Sequence, residues 1–149
     1  MATSPLSIKL PTPEELRALQ APPAVDLRVK YTRMVDADVD FLYGKVIGNR
    51  GPEYTLAESD AQAFSARGFA LPVPATVQVW ATVKNWNPQQ AAENILAQSA
   101  AWRAAQIAIR QYRLSAKEAL RVATTDEAKE QAYRSWKLAY GQLLTSLTA

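Results

Sequence analysis

The chain has 149 residues, 48% of them hydrophobic and 21% charged, with no Cys, no His and a net charge of +3; this is globular composition, neither collagenous nor disordered throughout. Without Cys there is no disulfide framework, thiolate nucleophile or Cys-ligated zinc, and without His the commonest general base, metal ligand and near-neutral switch are missing. So small a charge excess does not imply nucleic acid, and no run of 18 apolar residues is present to insert into a membrane.

Residues 1–24 hold five of the nine prolines, Pro5, Pro11, Pro13, Pro22 and Pro23, each fixing φ and removing a backbone donor, so the segment reads as an extended arm. Inside it Thr12-Pro13-Glu14-Glu15 has the capping-box pattern, and a short helix is expected over about Pro13 to Gln20. The apolar residues of the arm, Leu6, Ile8, Leu10, Leu16 and Leu19, are candidate contacts with a neighbouring surface. The start has no basic stretch followed by an apolar run, so no export signal is expected and a cytoplasmic origin is.

From Val25 to about Leu71 the texture turns β-prone. Leu27, Val29 and Tyr31 alternate with Arg28, Lys30 and Thr32, the period of a half-buried strand, and Phe41 to Ile47 is a second candidate strand, stopped by the turn residues Gly48 to Pro52. Thr55 is placed to open a helix running to Arg67, with Gly68 as its stop. Pro72 and Pro74 make an extended connector, and Val77 to Val83 fits a strand or a helix equally.

Residues 87–149 carry the clearest pattern. Asn87 caps, Pro88 follows at the first helical position and Gln90 completes a capping box. Ile95, Gln98, Trp102, Ala105, Ile109, Tyr112, Ala116, Ala119 and Ala123 then recur at steps of three and four, and after Thr124-Thr125-Asp126-Glu127 so do Tyr133, Trp136, Tyr140, Leu143 and Leu147. This predicts an antiparallel helical hairpin with one shared apolar seam, and the Ala-rich first helix lets another helix approach closely. One seam leaves the other faces uncovered. Either the N-terminal module or copies of the protein must cover them, so Ile95, Trp102, Ile109, Tyr112, Tyr133, Trp136, Tyr140, Leu143 and Leu147 join the candidate interface. The expected fold class is α+β: an arm at 1–24, a small mixed module at 25–86 and a long hairpin at 87–149.

Groups that could carry chemistry are few. Asp36, Asp38 and Asp40 would share one side of a strand, but the calcium-loop pattern fails at Phe41 and Ile47, so a solvated acidic edge is expected and no metal site. Arg103, Arg110 and Lys117, with Arg113 and Arg121, form a basic stripe interrupted by Glu118, which reads as helix surface ahead of an acidic protein partner or nucleic acid. Trp80 and Trp86 flank the module junction, where burial is expected. Gly48 to Gly51 lacks the context of a phosphate loop, and neither paired carboxylates nor a Ser with a Lys base has a local signature. No catalytic residue or cofactor site is expected.

The order of a β-prone front, the connector Leu71-Pro72-Val73-Pro74 and an Ala-rich helix with Ala101-Trp102-Arg103-Ala104-Ala105 and Ile109-Arg110-Gln111-Tyr112-Arg113 resembles small tail-region proteins of tailed bacteriophages. The resemblance covers about 40% of the chain, mainly its C-terminal half. It implies a non-enzymatic virion structural protein, assembled in the host cytoplasm and packed against copies of itself and other virion proteins. A tail-fibre assembly chaperone, absent from the finished particle, is the alternative, and a nucleic-acid-binding module the third. The chain ends Thr145 to Ala149 where the chaperones often end in Trp-Pro.

Overall fold

The computed structural model describes residues 9–20 and 24–149. Those residues form six α-helices and no strand: α1 Pro13–Gln20, α2 Leu27–Val46, α3 Gly51–Ala66, α4 Ala75–Lys84, α5 Pro88–Val122 and α6 Asp126–Thr148, with a 3-10 turn at Gly48–Arg50 before α3. The fold is all-helical, so the α+β class and its β-containing module are corrected.

Both expected strands, Leu27 to Tyr31 and Phe41 to Ile47, fall almost wholly within α2. Short alternation among β-branched residues imitated a strand, whereas the longer series Leu27, Tyr31, Val35, Val39, Leu42 and Val46 has helical spacing and is the buried or half-buried side of α2. Packing on that face overrides the β preference of the valines. The helix starts at Asp26, whose side chain accepts from the backbone N–H groups of Arg28 and Val29 at 3.0 and 3.3 Å.

The helix expected from Thr55 begins four residues earlier, with Pro52 in its first turn. Thr55 is not its cap, because its hydroxyl donates to the carbonyl of Gly51 inside the helix. Gly68 does follow the end of α3 with φ of +64°, and Phe69 at +62° is held by donating to the Phe64 carbonyl and by an edge-to-face contact with the Phe64 ring. Val77 to Val83 is helical, and α4 closes on left-handed Asn85. The capping box of Asn87 and Gln90 opens α5, and Thr125 caps α6.

At 35 residues α5 is the spine, about 52 Å long at 1.5 Å per residue. Its C-terminal half packs with α2 and α6 around Val35, Val39, Leu42, Ile109, Ala116, Leu120, Trp136, Tyr140 and Leu143. Its N-terminal half packs with α3 and α4 around Ala61, Phe64, Val77, Ala81, Ala91 and Ala92. Residues 25–86 therefore contribute to two cores, α2 to one and α3 with α4 to the other. The hairpin of α5 and α6 is present, and its seam is completed by α2 of the same chain. The uncovered seam that called for outside partners is thus largely closed from within.

Candidate interaction surfaces

The arm keeps much of its apolar surface uncovered. Thr12 and Glu15 cap α1 reciprocally, Glu15 accepting from the Thr12 N–H at 2.7 Å and the Thr12 hydroxyl accepting from the Glu15 N–H at 3.2 Å. The helix is locally well specified, yet it packs on no other helix among the described residues. Leu10 and Leu19 are about four-fifths exposed and Leu16 44%. An open hollow of about 530 Å³ lies among Lys9, Leu10, Pro11, Glu15, Ala18 and Leu19. Leu6 and Ile8 lie outside the described residues.

The remaining sequence-derived interface residues divide sharply. Ile109, Trp136, Tyr140 and Leu143 are buried inside the chain's own core. Trp102, Tyr133 and Leu147 pack partly buried against that core, and Ile95 against the second. Tyr112 is 44% exposed, on the flank of α5.

The outer side of α2 was not singled out by sequence because its strand reading hid it. Lys30, Met34, Ala37, Phe41 and Gly44 follow one another at steps of four and three, all exposed. Phe41 is 54% exposed, and a Cβ on Gly44 would meet no atom within 4 Å. Lys30 lies on this stripe and Arg33 and Lys45 flank it, with Asp40 the acid on that side; none of the three bases forms an ion pair among the described residues.

The acidic trio is not a solvated edge. Helical geometry sends its members apart: Asp36 accepts from the Lys117 ammonium on α5 at 2.7 and 3.0 Å, with Arg113 at 3.7 Å, while Asp38 accepts from Trp136 Nε1 at 2.8 Å and from Lys137 at 3.0 Å on α6. Asp40 stays exposed. The two bonded aspartates tie α2 to both arms of the hairpin. Burial alone works against the charge on Lys137, but its hydrogen bond to Asp38 and the charge there outweigh it and raise the pKa. Burial raises those of Tyr133 and Tyr140, with Asp38 adding to it and Lys137 opposing it. No group of three His, Cys, Asp or Glu side chains among the described residues is arranged to hold a metal ion.

The basic stripe of α5 is largely neutralised within the chain. Arg103 pairs with Glu58, Arg113 and Lys117 with Asp36, and Arg121 with Glu118. Trp80 is half-buried and its indole N–H donates to Asn94 at 3.0 Å; Trp86, 37% exposed, meets it edge to face, and the Lys84 ammonium sits 5.0 and 5.4 Å from the two ring centres. That aromatic corner is closed by its own cation. No described helix is long and apolar enough to cross a membrane.

Comparison with known proteins finds no matching family model, no matching curated protein and no matching solved structure.

Proposed function

We propose that the protein is a non-enzymatic structural component that acts by packing against copies of itself and against other proteins of an assembly. The likeness of its C-terminal half to phage tail-region proteins suggests a virion as the setting. The observation that carries this reading is α1: capped at its start and amphipathic, yet with Leu10, Leu16 and Leu19 exposed and no helix against them among the described residues. An amphipathic helix this short gains little stability in isolation and is stabilised chiefly by the surface it packs on. Pairing of Arg103, Arg113, Lys117 and Arg121 with carboxylates in the chain weighs against the nucleic-acid reading.

Light scattering on the full chain over a range of concentrations tests the proposal. Mass above the monomer, reduced by Leu16→Glu with Leu19→Glu, is the expected result; a monomer at every concentration contradicts it. Detection in mature particles supports the virion setting, whereas presence only during assembly points to a chaperone.

A further inference from the structure

Building on that reading, we propose that the arm docks on the outer stripe of α2 in a second copy of the chain. On that stripe Met34, Ala37, Phe41 and Gly44 form an apolar line with helical spacing that no described residue covers. From Lys30 to Gly44 it runs about 21 Å, while the eight residues of α1 span about 12 Å, so the arm fits along it whole. Leu16 and Leu19 share one face of α1. The hollow has Leu10, Pro11, Ala18 and Leu19 on its wall with Lys9 and Glu15 beside them, so it offers a ring apolar contact, and Phe41 is the aromatic side chain that α2 presents outward.

Charge favours this stripe over the exposed apolar line on α5, where Ala100, Ala104, Ile107 and Leu114 lie between Glu93 and Glu118, beside Arg110 and the already paired Arg103 and Arg121. The arm carries Glu14 and Glu15 in the first turn of α1, with Arg17 in its last turn and Lys9 ahead of it, so its acidic end is the start of the helix. On α5 the two glutamates would meet like charge at both ends; on α2 they meet Lys30, Arg33 and Lys45, which outnumber Asp40 on that side and have no ion pair among the described residues.

The packing favours a neighbour over the chain's own α2: among the described residues α1 packs on no other helix. Two copies can instead exchange arms about a two-fold axis, each donating one α1 and receiving one.

The absence of native cysteine makes the test direct. Full-length Leu16→Cys chains are mixed with full-length Ala37→Cys chains and oxidised. Accumulation of the mixed disulfide dimer well above either homodimer is expected, and no such excess overturns the inference. Both positions are exposed, so folding should be retained, and circular dichroism checks it. In parallel, Phe41→Glu should raise the concentration at which the oligomer dissociates about tenfold or more, while Leu138→Glu, an exposed site on α6, leaves it unchanged. An oligomer sensitive to Leu16→Glu with Leu19→Glu but not to Phe41→Glu removes this docking surface and leaves the proposed function standing. A chain that never associates removes both.

Discussion

The two halves of α5 are built into different kinds of core. At its N-terminal end Ala91 and Ala92 share a core with Ala61 and Ala81, and Phe64 and Val77 are the large side chains fully buried there among the described residues. At its C-terminal end Val35, Leu42, Ile109, Leu120 and Trp136 fill the space between three helices, and Asp36 and Asp38 bond across it. Small residues bring backbones close and depend on fit. Large ones hide more apolar area and depend on not being truncated. The C-terminal core also joins segments far apart in the chain, whereas the N-terminal one is assembled from neighbours in sequence.

Truncation should therefore hurt most at the C-terminal end. Trp136→Ala removes the largest buried side chain and leaves Asp38 without its indole donor, and should cost about 3–5 kcal/mol in urea unfolding. The opposite operation should single out the other end: Ala92→Leu forces three extra carbons between α5 and its neighbours at a cost of about 1–3 kcal/mol. Leucine at exposed Ala104 should be close to neutral.

The two aspartates sharpen the comparison further. Asp38→Ala strands the Trp136 indole N–H in the core and should cost about 1–3 kcal/mol. Asp36→Ala breaks a more open pair with Lys117 and should cost about 1 kcal/mol or less. A thermal-melt series on the two variants checks the order.

The smallest expected effect is on pH. Lys137, Tyr133 and Tyr140 all hold their protons more tightly when folded, so their contribution is fully present below their unfolded pKa values near 10. It is lost as pH rises through the higher folded values. Stability should fall above about pH 10, and Asp38→Ala should blunt that fall. All three groups sit on α6, so amide exchange should detect loosening at the C-terminal core before the α3–α4 end.

Helix boundaries marked by local chemistry were legible in the sequence. Thr12 with Glu15, Asn87 with Gln90, and Thr125 each bind backbone groups within three residues, and the structure places those caps as expected. α2 was missed because four or five residues of alternation among Val, Tyr and Phe outweighed a helical series of twenty. Asp26 as a cap was the signal that would have corrected it. That misreading also concealed the Met34 to Gly44 stripe and placed three aspartates on one side when the helix directs two of them to different partners. No local pattern announces those partners, Lys117 and Trp136, which stand 81 and 98 residues away.

Amide hydrogen exchange across α1, followed as protein concentration rises, tests the central claim most directly. If the arm finds its cover on another copy, the amides of Arg17 to Gln20 gain protection as the oligomer forms and lose it on dilution. Protection that persists at the dilute limit would show the arm seated on its own chain, and none at any concentration would show that it seats on nothing.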